Sequence, residues 1–119
     1  MTDKHAKIVI TGAAGLVGQN LLVELEQQGY SQLVAIDKHA HNLQILRQLH
    51  PAVRAVYADL AEPGEWAREF EGAACVAQLH AQITGKTTEL FTRNNLLATS
   101  HVLDACKAAR VPFVVHISS

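Results

Sequence analysis

The sequence TGAAGLVG, residues 11–18, decides the fold of this chain. It follows the apolar run 8–10 and leads into a second apolar segment, so the pattern is that of a strand, a glycine turn and a helix. Gly12 permits a tight turn, Gly15 lets a ligand approach the backbone, and Gly18 lets the helix lie close to the strand. Because the helix then offers unpaired N–H groups to phosphates, we expect a dinucleotide-binding turn, with a purely structural turn as the alternative.

The rest of the chain alternates apolar runs with segments of helical periodicity. We predict strands at 7–11, 33–37, 53–58, 75–80 and 113–118, and helices at 15–28, 42–50, 63–70 and 89–110. Strands two, four and five are nearly continuous apolar runs, which is typical of parallel strands covered on both faces. This alternation predicts an α/β fold, a doubly wound parallel sheet of the Rossmann type with strand order 3-2-1-4-5. Right-handed crossovers would place the first two helices on one face of the sheet and the last two on the other.

Composition limits the classes of protein that this chain can represent. Its 119 residues are 49% apolar and 18% charged with a net charge of −1, a balance that favours one globular domain over a nucleic-acid or membrane-surface binder. No apolar run is long enough to span a bilayer, and the N-terminus lacks a secretory pattern, so we expect a cytoplasmic protein. Cys75 and Cys106 lie in apolar segments, and we favour buried free thiols over a disulfide.

The spacing G-x-x-G-x-x-G, preceded by Thr11, resembles the short-chain dehydrogenase/reductase superfamily, in its extended branch of NAD-dependent epimerases and dehydratases. The resemblance covers essentially all of residues 1–119 but only the first part of that family's length. It implies one dinucleotide-binding domain. It also implies that the turn supplies six cofactor-binding residues: Gly12, Ala14, Gly15, Leu16, Val17 and Gly18.

Asp37 ends the second predicted strand, about twenty residues beyond the turn, where an acid accepts hydrogen bonds from the adenosine ribose. Since a carboxylate there repels a 2′-phosphate, we predict that the cofactor is NAD rather than NADP. Lys38 is assigned to the same site. Lys38 and His39 are cations beside the ribose and could partly accommodate a 2′-phosphate. A solvated acid at a strand end is the alternative for Asp37.

The resemblance extends the cofactor site to later segments of the chain. Asp59 and Leu60 follow strand three. At this position members of the family contact the adenine amino group through an Asp side chain and the backbone of the next residue. A simple turn is an equal alternative for Asp59. His80 and Ala81 stand where the family has small residues along the cofactor. His80 either faces the nicotinamide half or is an ordinary strand-end histidine, which we favour. Asn95 corresponds to the Asn of the family's Asn-x-x-Gly-Thr motif, near the cofactor and the active site.

The segment 114–119 resembles the family's strand that ends in a catalytic Ser or Thr, which makes Ser119 the candidate catalytic residue. The family's chemistry also needs a Tyr followed four residues later by a Lys, which lowers the phenol pKa. Neither Tyr30 nor Tyr57 is followed by Lys at that spacing. We therefore expect the N-terminal portion of a larger enzyme, without the Tyr/Lys helix or the substrate domain.

The last predicted helix carries two apolar stripes. One stripe consists of Phe91, Ala98, Val102, Ala105 and Ala109, and the other of Leu96, Leu103 and Cys106. Because a helix packed on a sheet needs only one stripe, we expect another helix to cover the second. The resemblance implies a homodimer through this helix. The fifth strand is expected to form a bare edge of the sheet.

These observations leave two hypotheses for function. The first is an NAD-dependent epimerase, dehydratase or dehydrogenase that acts on a nucleotide sugar by hydride transfer, with sterols or other small alcohols as alternative substrates. The second is a non-catalytic dinucleotide-binding module with a regulatory or scaffold role. A methyltransferase-like domain is disfavoured because its first strand usually carries an acid into a closer Gly-x-Gly, unlike residues 10–12 here. The sequence predicts no metal site and no nucleic-acid or membrane partner.

Overall fold

A computed structural model describes residues 4–79 and 88–117, with side chains described for all of these except residues 88–95. Its elements are β1 (Lys7–Thr11), α1 (Leu16–Gln27), β2 (Gln32–Asp37), α2 (Ala40–Leu49), β3 (Arg54–Tyr57), a 3₁₀ helix (Glu65–Phe70), β4 (Ala73–Leu79), α3 (Thr88–Ala108) and β5 (Phe113–Ile117). The strands form one parallel sheet in the order β3-β2-β1-β4-β5. This confirms the predicted doubly wound α/β fold.

The ends of several elements differ from the sequence prediction. The helix predicted over 63–70 is a 3₁₀ helix that begins at Glu65, because Gly64 before it is fully extended, with φ −179° and ψ −173°. Strand β4 begins at Ala73, two residues earlier than predicted, because Ala73 pairs with Lys7 of β1 across a register irregularity. The other helices begin or end within a few residues of the predicted bounds.

The helices cover the two faces of the sheet as predicted. Alternate residues of a strand point to opposite faces. Ile10 of β1 lies in one buried cluster with Leu22 of α1 and Leu46 of α2. Val9, its neighbour, lies in the other cluster with side chains of the 3₁₀ helix and α3. The crossovers therefore leave the carboxyl ends of the strands, where ligands bind in such sheets, at one common edge.

Helix α3 packs on the sheet through a single stripe that includes Cys106. Val102 and Cys106, one turn apart, are 0% and 4% exposed, whereas Leu96 and Leu103 are 66% and 47% exposed. The assignment of Cys106 to the second stripe was therefore wrong, because its position one turn beyond Val102 places it on the sheet side. The second stripe is real but consists of Leu96 and Leu103 within the described residues.

Both cysteines are free thiols buried in the core, as predicted. Burial raises the pKa of the Cys75 thiol, and burial with a smaller effect of Cys75 raises the pKa of Cys106 to about 11. These thiols are therefore protonated and weakly nucleophilic at neutral pH. They are core residues and not candidates for covalent chemistry.

Strand β5 is exposed. Phe113 and Val115 are 61% and 46% exposed, so the expectation that this strand is covered on both faces fails within the described residues. Among the described strands, β5 lies at the edge of the sheet, next to β4. None of the described helices combines the length and apolarity needed to cross a bilayer.

Candidate cofactor-binding site

The glycine turn between β1 and α1 is held against the ends of two neighbouring strands. The amides of Gly12 and Ala13 donate to the carbonyl oxygen of Ile36 in β2, at 2.9 and 3.3 Å. Gly12 has φ +70°, and a Cβ there would lie 2.7 Å from the Leu79 carbonyl oxygen at the end of β4. Both the backbone conformation and the close approach of β4 therefore require glycine at this position.

The other two glycines of the turn differ in their surroundings. A Cβ at Gly18 would lie 2.4 Å from the Ala13 carbonyl oxygen, so this glycine lets α1 pack on the turn. Gly15 has φ −76° and ψ 176°, a conformation open to any residue. Among the described residues, the atom nearest to a Cβ at Gly15 is the Gly12 carbonyl oxygen, at 3.8 Å. No described atom of the protein therefore demands a glycine at position 15.

Helix α1 begins with N–H groups that its own backbone does not use. Its first helical bond runs from the Gln19 amide to the Gly15 carbonyl oxygen, at 3.0 Å. The amides of Leu16, Val17 and Gly18 precede that bond and have no acceptor within the helix. The side chains of Leu16 and Val17 are exposed beside them. Because the positive end of the helix dipole lies at the same place, this turn is suited to bind a phosphate.

Asp37 links the glycine turn to the start of α2. It is 7% exposed, and its carboxylate accepts two backbone N–H bonds of 2.9 Å, from Ala14 at Oδ2 and from His39 at Oδ1. Each carboxylate oxygen has a second lone pair, which is free to accept a ribose hydroxyl. Lys38 lies exposed next to it in the chain. The structure thus shows a second role for Asp37 beside the predicted ribose contact: its bond to the Ala14 amide holds the glycine turn.

The loop after β3 lies beside the end of β2, because the Ala58 amide donates to the Asp37 carbonyl oxygen at 3.0 Å. In this loop the exposed Asp59 accepts the Ala61 amide at Oδ1, at 3.0 Å. Leu60 is half-buried and packs against the core on the α3 face. Asp59 therefore forms a turn, one of the two roles considered from the sequence, and its contact with adenine stays a prediction.

Two polar contacts near this edge involve residues that sequence reasoning did not assign to the site. Gln78 of β4 is 4% exposed and donates from Nε2 to Thr99 Oγ1 of α3, at 3.1 Å. His101 of α3 donates from Nδ1 to the Leu60 carbonyl oxygen, at 2.8 Å. The Oε1 atom of Gln78 and the Oγ1 atom of Thr11, its register partner, are buried without a hydrogen-bond partner among the described residues. The one signal for Gln78 was a polar residue inside an apolar strand.

Several predicted site residues fall outside the described part of the chain. These are His80, Ala81 and Ser119. Asn95 lies in α3, one turn before Thr99, but its side chain is also outside the described residues. The roles expected of these residues therefore stay predictions. In the part of the chain that is described, no group of three or more His, Cys, Asp and Glu side chains is placed to hold a metal ion.

Comparison with known proteins gives matches over almost the whole chain. The model of the NAD dependent epimerase/dehydratase family matches residues 8–119. Ceramide reductase of Caulobacter vibrioides is 28% identical, in a match that covers 96% of this chain and 35% of that protein. ADP-L-glycero-D-manno-heptose-6-epimerase of Alkalilimnicola ehrlichii is 30% identical, in a match that covers 90% of this chain and 35% of that protein.

Solved structures share the architecture. MoeE5, in complex with UDP-glucose and NAD, superposes with a TM-score of 0.71 at 28% identity, over 96% of this chain and 36% of that one. The chain thus spans about a third of the length of the curated relatives that it matches.

Proposed function

Because the chain belongs to the NAD dependent epimerase/dehydratase family, we propose that it binds NAD at the β1–α1 turn and serves hydride transfer at a hydroxyl-bearing carbon of its substrate. Gly15 carries this proposal. Contacts within the protein account for Gly12 and Gly18, whereas a Cβ at Gly15 would meet the described residues only at an ordinary contact distance of 3.8 Å. The missing side chain at Gly15 is explained if a pyrophosphate lies there.

Each part of the turn has its own role in this proposal. The amides at the start of α1 bind the pyrophosphate, with Leu16 and Val17 beside it. Asp37 accepts the ribose hydroxyls while it holds the amide of Ala14. A 2′-phosphate would lie against this buried carboxylate, so we propose NAD in preference to NADP, although Lys38 is adjacent.

The catalytic roles rest on the family resemblance. NAD, when bound, supplies the acceptor for the hydride that leaves the substrate carbon. We assign Ser119 to hold the substrate hydroxyl, Asn95 to the neighbourhood of the active site, and His80 and Ala81 to the nicotinamide half. Removal of the hydroxyl proton is assigned to a Tyr/Lys pair outside these 119 residues, because no Tyr in this sequence has a Lys four positions later.

A nucleotide sugar is the proposed substrate. The similarity to the heptose epimerase and to MoeE5, solved with UDP-glucose and NAD, supports it. The similarity to ceramide reductase supports a lipid alcohol as the second candidate. We also propose a homodimer through α3, which is supported by the exposed leucines Leu96 and Leu103 on its outer face.

A matched pair of glycine variants tests cofactor binding. Gly15→Ala places a methyl group in the proposed pyrophosphate position, where overpacking of about 1–3 kcal/mol weakens NAD binding about 5- to 150-fold. Its melting temperature should stay close to that of the wild type, since the nearest described atom is 3.8 Å away. The control is Gly64→Ala, at which a Cβ lies 3.4 Å from Trp66 and φ is not positive. Wild-type NAD affinity in Gly15→Ala, measured by calorimetry on the whole protein, would refute the proposal.

The reaction is tested by offering candidate substrates to the whole protein with NAD and following the sugar or lipid product by NMR. NADH absorbance is recorded beside it and reports net oxidation only, because an epimerase or a dehydratase returns the hydride to its own intermediate. The panel contains UDP-glucose, dTDP-glucose, an ADP-heptose and a ceramide. Turnover of a nucleotide sugar supports the first substrate class, and turnover of the ceramide supports the second. NAD binding without turnover of any of them favours the non-catalytic module.

A further inference from the structure

His101 joins helix α3 to the loop that follows β3. Its Nδ1 lies 2.8 Å from the carbonyl oxygen of Leu60, a residue 41 positions earlier in the chain. Because a carbonyl oxygen only accepts, Nδ1 must carry the hydrogen. His101 is half-buried, so water competes only partly for this bond.

Helix α3 is firmly placed where it carries His101. The next residue, Val102, is fully buried, and Thr99 accepts a hydrogen bond from Gln78 of β4. The loop on the other side of the bond is more open, since Asp59 is exposed and Leu60 is only half-buried. The loop has bonds of its own, from the Ala61 amide to Asp59 Oδ1 at 3.0 Å and from the Glu62 amide to the Asp59 carbonyl oxygen at 3.1 Å. The bond from His101 adds to these a link between the exposed loop and a fixed helix.

We propose that His101 is a positioning residue for the adenine end of the cofactor site. The inference rests on the proposed function, in which Asp59 and the backbone of Leu60 meet the adenine. By holding the Leu60 carbonyl, the imidazole fixes the peptide plane that follows Leu60 and limits rotation of the loop. The Asp59 carboxylate is thereby kept at the orientation in which it accepts the adenine amino group.

Discrimination between two dinucleotides measures this orientation. In nicotinamide hypoxanthine dinucleotide a carbonyl oxygen replaces the amino group, so the Asp59 carboxylate would face an acceptor instead of a donor. We expect the wild type to prefer NAD by about tenfold or more. Loss of orientation should weaken NAD binding and leave the hypoxanthine analogue little changed, which lowers the ratio of the two dissociation constants. A purely structural role would weaken both ligands equally.

Three variants of His101 and one control define the experiment, performed by calorimetry on the whole protein. His101→Asn keeps a donor near the Nδ1 position and should keep the wild-type ratio. His101→Gln moves the donor towards the Nε2 position, and His101→Leu removes it; both should bring the ratio close to one. His41→Leu changes an exposed histidine of α2 and should have no effect. If His101→Leu does not fold, the comparison of Asn with Gln decides alone.

The outcomes separate this inference from the proposed function. Failure of the wild type to bind NAD overturns the proposed function. Wild-type binding of NAD without preference over the analogue overturns the adenine contact, and with it the role of His101. A wild-type ratio in His101→Leu, an equal loss for both ligands, or equal ratios in the Asn and Gln variants overturns the positioning role alone.

Discussion

Replacement of Asp37 by Asn tests both roles that the structure gives to this carboxylate. The carboxylate accepts the amides of Ala14 and His39 at 2.9 Å and is almost completely buried. An Asn side chain has one acceptor oxygen, so it keeps one of these bonds and turns an NH₂ group towards the other amide. The glycine turn or the start of α2 must then lose its partner.

The expected cost follows from the bond that is lost. A hydrogen bond to a charged group contributes about 1.5–3 kcal/mol, and a buried N–H left facing another donor keeps its full desolvation penalty. We therefore expect Asp37→Asn to lower the free energy of unfolding by about 2 kcal/mol, measured by urea unfolding of the whole protein. Asp104→Asn, an exposed acid on α3, is the matched control and should change it by about 0.5 kcal/mol or less.

The same variant tests cofactor preference. Removing the negative charge of Asp37 removes the repulsion of a 2′-phosphate, so the ratio of NADP to NAD affinity should rise relative to the wild type and to Asp104→Asn. If Asp37→Asn is as stable as the control, the carboxylate does not hold the turn. If it is destabilised but the ratio does not rise, the argument for NAD from this residue fails.

Three further predictions follow from local geometry and from burial. Gly18→Ala places a Cβ 2.4 Å from the Ala13 carbonyl oxygen and should lower the free energy of unfolding by about 1–3 kcal/mol; wild-type stability would contradict the packing argument. Arg110 lies two residues beyond the end of α3 and has φ +56°, so Arg110→Gly should raise that free energy by about 0.5–1 kcal/mol, whereas Arg110→Ala, which keeps the strain, should not. Cys75 and Cys106 should resist Ellman's reagent at pH 8 until urea unfolds the chain, because burial raises both pKa values; fast labelling of the folded protein would refute this.

The parts of the site that the sequence predicted are those defined by local spacing. The three glycines fall within seven residues, and the acid ends the next strand, so strand and turn patterns are enough to bring Asp37 to the turn. The bond from Ala14 to Asp37 was not predicted, because a sequence pattern does not fix which carboxylate oxygen faces which amide. The pattern of spacing also left Asp59 with two roles, and only the turn is seen in the structure.

The contacts of His101 and Gln78 could not be predicted for a different reason. His101 meets a backbone carbonyl 41 positions away, and a carbonyl has no sequence signal at all. Gln78 meets Thr99 only because α3 lies across β4 at one particular height, which the helical period does not determine. Cys106 was placed on the wrong stripe because adjacent helical faces differ by a small rotation, and the sheet decides which one is buried.

The central position of β1 has a consequence for how the chain acquires its structure during synthesis. Ile8 pairs with Leu33 of β2 on one side and with Cys75 of β4 on the other. The second side of β1 therefore stays unpaired until β4 has left the ribosome, about 40 residues after β2. Until then Val9, completely buried in the finished protein, lacks Val102 and the rest of its cluster. At about 5–20 residues per second this interval lasts several seconds, during which the nascent half-sheet is a natural client for chaperones.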